Sequence, residues 1–188
     1  MAAKSGKGSN FEREICKQLS LWWTDNERDD VFWRTAGSGA MAKTRSKSNR
    51  QTFGQYGDIQ ATDPIGQPLI DLCSIELKRG YSRTTFHDIL DASNKAAEQQ
   101  YHTFINQART DAHNAKAKYW VLITKRDRRE PLICMPFSLY KHLKPQLKQS
   151  LWQVKFRYPN ENIFITKLEY FLSYVTADNI RELNEKRG

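Results

Sequence analysis

The chain has 188 residues, 39% hydrophobic and 12% aromatic, enough apolar surface for one domain with a full core. Its 30 Lys and Arg against 21 Asp and Glu leave a formal charge of +9, which favours polyanionic partners, nucleic acid first, although a merely soluble basic protein carries such a surplus too. The three cysteines, Cys16, Cys73 and Cys134, are odd in number, form no CxxC pair and sit in apolar runs, so buried reduced thiols are expected rather than a disulfide framework or a zinc site. No apolar stretch reaches membrane-spanning length and the first residues lack the hydrophobic core of a signal peptide, so a soluble cytoplasmic protein is expected.

In chain order, residues 1–8 are small and basic and read as a flexible arm. Phe11, Ile15, Cys16, Leu19, Trp22 and Trp23 recur at helical spacing and predict a helix over 10–23, ended by the polar stretch 24–30. A short strand at 31–34 runs into Gly37-Ser38-Gly39. From 31 to 57 there is no Asp or Glu, while Arg34, Lys43, Arg45, Lys47 and Arg50 stand among Ser, Thr, Asn, Gln and Gly, the pattern of a long basic loop. Residues 57–61 and 69–78 read as a strand pair about a turn at 63–66. Residues 84–116 read as helical with a break near Ser93, on the stripe Ala97, Tyr101, Phe104, Ile105, Ala108 and Ala112. Strands follow at 119–124 and 132–135, a helix at 137–151, strand-like sequence at 163–175 and a last helix at 177–185. The class is α/β, a mixed central sheet flanked by helices.

Ile75-Glu76-Leu77-Lys78 carries the chemistry. On a strand, Glu76 and Lys78 share a face, with Cys73, Ile75 and Leu77 on the other. Asp58 from a neighbouring strand would give a second carboxylate, and the Leu77 carbonyl a further oxygen, for a hard cation such as Mg²⁺. A metal there lowers the pKa of a bound water, and Lys78 can orient that water, aid its deprotonation or stabilise developing charge. By itself, E-x-K on a strand reads equally well as an ordinary ion pair. Glu12 extends the helical row of Cys16, Leu19 and Trp23, where a carboxylate needs a partner. Ser9-Asn10-Phe11-Glu12 also fits a capping box, with Glu12 reaching back to Ser9. Ser38 in its glycine turn could meet a phosphate, and the basic loop could follow a nucleic-acid backbone. Gln107, at the edge of the long helix's stripe, reads first as a surface residue. His87, His102, His113 and His142 show no paired metal spacing.

Four blocks, Lys7-Gly8-Ser9-Asn10-Phe11-Glu12-Arg13-Glu14, Arg34-Thr35-Ala36-Gly37-Ser38-Gly39, Gly57-Asp58-Ile59 and Ile75-Glu76-Leu77-Lys78, occur in order and at the approximate spacing of one family. Over about residues 7–80, and more weakly to about residue 124, the chain resembles the archaeal-type Holliday junction resolvases of the PD-(D/E)XK nuclease superfamily. The resemblance implies a restriction-endonuclease-like fold with an extra helical insertion and a C-terminal extension. It implies one nuclease domain over 9–188, with a core of about 9–136 and an extension of about 137–188. By it, Glu12, Asp58, Glu76 and Lys78 form a metal-dependent nuclease site to which Ser38 contributes. Asp58, Glu76, Glu12 and the Leu77 carbonyl would hold Mg²⁺, with Mn²⁺ as a substitute, and Gln107 is a further candidate. Arg34, Lys43, Arg45, Lys47, Arg50 and Arg79 are the candidate DNA contacts.

The implied activity is endonucleolytic hydrolysis of DNA, branched or duplex, in recombination or repair, leaving a 5′-phosphate and a 3′-hydroxyl, with a homodimer as the assembly of the compact relatives. The chain departs from the family pattern in having Gly57 where a proline usually precedes the aspartate, a longer loop from Gly39 to Asp58, and additional sequence over 80–116 and beyond about residue 137. A restriction- or repair-type duplex endonuclease is the neighbouring expectation, and a binding module that keeps the fold without the activity is the alternative of a different class.

Overall fold

The helical row Phe11, Ile15, Cys16, Leu19 and Trp23 is buried along α1 (Ser5–Trp23), in a computed structural model that describes residues 5–35, 56–81, 95–147, 153–158 and 161–186 with positions 85, 87 and 88. α1 begins at Ser5, inside the stretch that composition assigns to an arm. β1 (Phe32–Arg34) and β2 (Ile59–Ala61) form a two-stranded antiparallel sheet. A 3-10 turn (Pro64–Gly66) and α2 (Gln67–Leu72) lead into β3 (Cys73–Arg79). α3 (Lys95–Ala115), β4 (Tyr119–Lys125), β5 (Leu132–Pro136) and α4 (Phe137–Leu143) follow. β6 (Val154–Tyr158), β7 (Glu161–Lys167), α5 (Leu168–Tyr174) and α6 (Ala177–Glu185) complete the described chain.

The main sheet has five strands in the order β3-β4-β5-β7-β6. β3 and β4 are parallel and the other pairs antiparallel, so the sheet is mixed, as in restriction-endonuclease-like folds. Period-two alternation feeds two cores. Cys73, Ile75, Leu77, Val121, Ile123, Ile133, Met135 and Phe164 point into the layer that contains α1, α2, α4, α5 and α6. Trp120, Leu122, Cys134, Ile163 and Ile165 point to the opposite layer and meet Tyr101, Phe104, Ile105, Ala108 and Ala112 of α3. That α3 stripe is the one its spacing predicts. All three cysteines are buried and free, and burial pushes the thiols of Cys16 and Cys73 up to about 12. No helix among the described residues is long and apolar enough to cross a membrane.

Several elements differ from the sequence-based expectation. β2 pairs with β1, not with 69–78, because the connecting segment is helical rather than a hairpin turn. Asp63 accepts from the Ile65 amide, and prolines occupy the first turns of both short helices, where their missing N–H costs nothing. Leu69 and Leu72 are then buried at helical, not alternating, spacing. The helix expected over 137–151 ends at Leu143, and Pro145 falls in a 3-10 turn (Lys144–Gln146). The strand expected over 163–175 stops at Lys167, and Leu168, Phe171 and Val175 bury one side of the helical stretch that follows. β6 was not expected: Val154, Lys155 and Arg157 are all exposed on this edge strand and show no alternation. Most of 84–94 and all of 148–150 lie outside the described residues.

The segment beyond residue 137 supplies two of the five strands and is tied to the N-terminal helix. The Trp22 Nε1–H donates to the Val175 carbonyl (2.8 Å), and the Arg181 guanidinium donates to the Trp23 carbonyl (3.0 Å) while covering the Trp23 indole at 4.6 Å. Thr176 and Asn179 cap α6 reciprocally. Phe164, fully buried in the middle of β7, stacks on Tyr140 at 4.3 Å between ring centres. Phe164→Ala is therefore expected to lower unfolding free energy by about 3–5 kcal/mol, read from urea denaturation followed by far-UV circular dichroism.

Candidate active site

β3 is an edge strand of the main sheet, with β4 on one side only. Its other edge is covered by Asp58. The Asp58 amide donates to the Ile75 carbonyl (2.8 Å), and the Leu77 amide donates to Asp58 Oδ2 (2.8 Å), so a side chain takes the place of a backbone acceptor. The Asp58 carbonyl in turn accepts from the Thr35 amide just after β1 (2.9 Å). Gly57 makes the approach possible. Its φ is +76°, and a Cβ there would lie 2.9 Å from both the Ile75 carbonyl oxygen and Ser74 Oγ. A proline, fixed near φ −65°, cannot adopt this conformation, which accounts for the glycine at this position.

Glu76 and Lys78 project to the α3 side of β3. Glu76 is 2% exposed. Its Oε1 accepts from Gln107 Nε2 on α3 (2.7 Å) and from the Lys78 ammonium. Burial, and next the charge of Asp58, push the Glu76 carboxyl up to about 7, against the pull of Lys78. Burial works against a charge on Lys78, but the charge and hydrogen bond of Glu76, together with Asp58 and Tyr81, outweigh it and the ammonium's pKa is raised. Lys78 Nζ also sits 5.6 Å from the centre of the Phe104 ring. Gln107, whose spacing reads as a surface position, is thus a partner of Glu76. The bond spans 31 residues and leaves no local signal.

Glu12 faces the same centre from α1. Burial first and Asp58 second raise its pKa, while Arg34 opposes them. Arg34 Nη1 lies 3.4 Å from Glu12 Oε2 and donates to Ser9 Oγ (2.6 Å). Ser9 is inside α1 and serves Arg34, so the capping-box reading of Ser9 and Glu12 does not hold. Glu14, two residues on, meets two cations that the spacing did not connect: Lys125 (2.6 Å) and Arg79 (3.7 Å). Both flank the Phe11 ring, at 5.9 and 5.8 Å. Ser38, Lys43, Arg45, Lys47 and Arg50 lie outside the described residues.

The donor chemistry suits a hard cation. Asp58 and Glu76 offer carboxylate oxygens. The Leu77 carbonyl leaves β3 on the same edge as its N–H, the edge that Asp58 covers. Asp58's charge is felt by both Glu12 and Glu76, a repulsion that a divalent cation would relieve. Among the described residues, no group of three or more His, Cys, Asp or Glu is already arranged to hold a metal ion. The two-carboxylate, one-carbonyl set leaves positions for water and substrate oxygens, the manner in which Mg²⁺ is commonly held.

Two outcomes follow for the metal-free protein. Because the folded pKa of Glu76 lies near 7 and its ordinary value is 4.5, the folded state holds this proton more tightly than the unfolded state. Stability from this group is then greatest below pH 4.5, falls as pH rises towards 7 and is level above that. The loss is up to about 3 kcal/mol. Thermal melts in EDTA should show this decline in the wild type and not in Glu76→Gln. Equal pH profiles would contradict it. Gly57→Ala combines a left-handed backbone with a backbone clash and is expected to cost at least about 1–2 kcal/mol in urea unfolding.

A family model described as "Phage putative PDDEXK endonuclease" matches residues 3–182, a span that holds α1, the Asp58 segment, β3 and α3 together. No curated protein and no solved structure matches the chain. With nearly the whole sequence covered, and a five-stranded mixed sheet flanked by helices presenting an acidic and lysine-bearing edge strand, the chain belongs to this PDDEXK endonuclease family.

Proposed function

We propose that the protein is a divalent-metal-dependent endodeoxyribonuclease with Asp58, Glu76 and Lys78 at its centre. The observation that carries this reading is the Asp58–Leu77 hydrogen bond, which brings the second carboxylate to the Glu76–Lys78 stretch of β3. Asp58, Glu76 and the Leu77 carbonyl are the metal-holding set, with Glu12 joining directly or through water. Mg²⁺ is the preferred ion because every donor is oxygen. When bound, such a cation supplies charge neutralisation at the scissile phosphate and a lowered pKa for its water.

The chain's own residues do the rest. Water oxygen attacks phosphorus and loses a proton to solvent, the bond from phosphorus to the 3′ oxygen breaks, and the 3′ oxygen takes a proton from solvent, leaving a 5′-phosphate and a 3′-hydroxyl. Lys78 keeps its proton through neutral pH, so it orients the water and stabilises charge growing on the phosphate oxygens rather than acting as a base. Gln107 fixes the Glu76 carboxylate through Oε1. Arg34 and Arg79, with Ser38 and the cations Lys43, Arg45, Lys47 and Arg50, contact the DNA backbone. By the resemblance to junction resolvases, branched DNA in recombination or repair is the leading substrate. A homodimer would offer two such sites to two strands. Residues 9–188 act as one nuclease domain in this reading.

The direct test is nicking of plasmid DNA with and without Mg²⁺. Glu76→Ala and Lys78→Ala should each lower the rate by about 10²–10⁴, with circular dichroism confirming that both variants fold. Wild-type activity equal to that of both variants would remove the enzyme reading. At one salt concentration, a four-way junction should be cut faster than a flap or linear duplex. Equal rates on all three would remove the branched-DNA preference and leave the nuclease.

A further inference from the structure

Three aromatic rings run from the interior to the surface beside Lys78. Tyr101, 3% exposed, packs edge-on against Phe104 with ring centres 5.8 Å apart. Phe104, also 3% exposed, packs edge-on against Tyr81 at 4.6 Å. Tyr81 is 43% exposed and lies just past the end of β3. A lone exposed aromatic is unremarkable on a protein surface. This one packs on the buried Phe104, which Tyr101 backs in turn, and its phenol lies close enough to Lys78 to influence that residue's charge. The same Phe104 ring carries the Lys78 ammonium at 5.6 Å. On the other side of β3, Arg79 and Lys125 share the half-exposed Glu14, two cations to one anion. An exposed ring beside Lys78, with Arg79 and Lys125 across β3, matches a nucleotide: base against ring, phosphates against cations.

We propose that Tyr81 is a stacking platform for an unstacked nucleobase next to the scissile phosphate, so that branch points, gaps and flaps are preferred to continuous duplex. A base inside a continuous duplex is stacked on its neighbours on both faces and cannot present a face to Tyr81 without being unstacked. A flap, gap or junction branch point supplies an unstacked base at lower cost. The role belongs to the ring and not to the hydroxyl, and the platform selects among substrates rather than taking part in bond breaking. The inference rests on the nuclease reading for the position of the phosphate.

The test is binding without cleavage. With Ca²⁺ replacing Mg²⁺, a 12-nucleotide single strand carrying 2-aminopurine is titrated with the full-length protein, following fluorescence quenching and Kd, alongside a blunt duplex of the same sequence. Tyr81→Ala should lose the quench and weaken single-strand binding about tenfold, while shifting duplex binding by less than about twofold. Tyr81→Phe and Tyr81→Trp should retain both quench and affinity. Thermal melts matching the wild type would show that the variants fold. Unchanged single-strand binding in Tyr81→Ala overturns the proposal. So does an equal loss in Tyr81→Ala and Tyr81→Phe, which would assign the role to the hydroxyl. An equal loss on both DNAs overturns it too, since the site would then read backbone charge alone. A wild-type protein that cuts DNA while Tyr81→Ala behaves normally sinks only the platform. A wild-type protein that neither binds nor cuts DNA sinks the nuclease reading with it.

Discussion

The acidic edge of the fold depends on Asp58 docking against β3. An edge strand exposes unpaired amides and carbonyls, and proteins cover or disrupt such edges. Here two of those groups are satisfied by one residue, the Ile75 carbonyl by its amide and the Leu77 amide by its carboxylate. The same contact therefore finishes the sheet and sets a carboxylate beside Glu76. Gly57 permits it sterically, and the Thr35 amide ties it back to the small sheet. Site geometry and edge protection are a single structural fact.

The electrostatic cost sits where the function would use it. A buried Glu76 beside Asp58 is held in an unfavourable state, relieved only in part by Lys78 and Gln107. Such like-charge pairs are expensive as structure and useful as chemistry, because a cation entering between them gains the repulsion they lose. The surrounding cations are occupied as well. Arg34 is held by Glu12, and Arg79 and Lys125 by Glu14. Incoming phosphates would meet positive groups already oriented by α1 carboxylates.

Much of the fold was legible because its periodicity is local. The rows on α1 and α3, and the runs that became β3, β4 and β5, reflect one-sided or two-sided burial directly. What escaped was decided by non-local pairing. Nothing in 57–61 says that its partner is β1, and β6 hides because it is a charged edge. Leu69 and Leu72 fit a strand or a helix until Pro68 is read as a helix-first residue rather than a strand breaker. At the candidate site, Asp58, Glu76 and Lys78 stood out through their motif and Gln107 only through the family resemblance, whereas the Gln107–Glu76 bond and the Glu14 cluster exist only in three dimensions. The capping reading of Glu12 was chemically sound, and it fell because α1 extends a further turn upstream, leaving Ser9 to Arg34.

β7 lies between β5 and β6 and pairs with both, although it is the last strand in the described chain. During synthesis, Asp58, Glu76 and Lys78 emerge early, yet the layer that backs β3 and β4 stays open until β7, α5 and α6 have left the ribosome. A nascent chain would thus carry all the reactive groups of the candidate centre on a sheet that cannot yet close. The layer behind β3 and β4 is thus a joint product of the first and last helices described, with Arg181 seated on Trp23 where they meet.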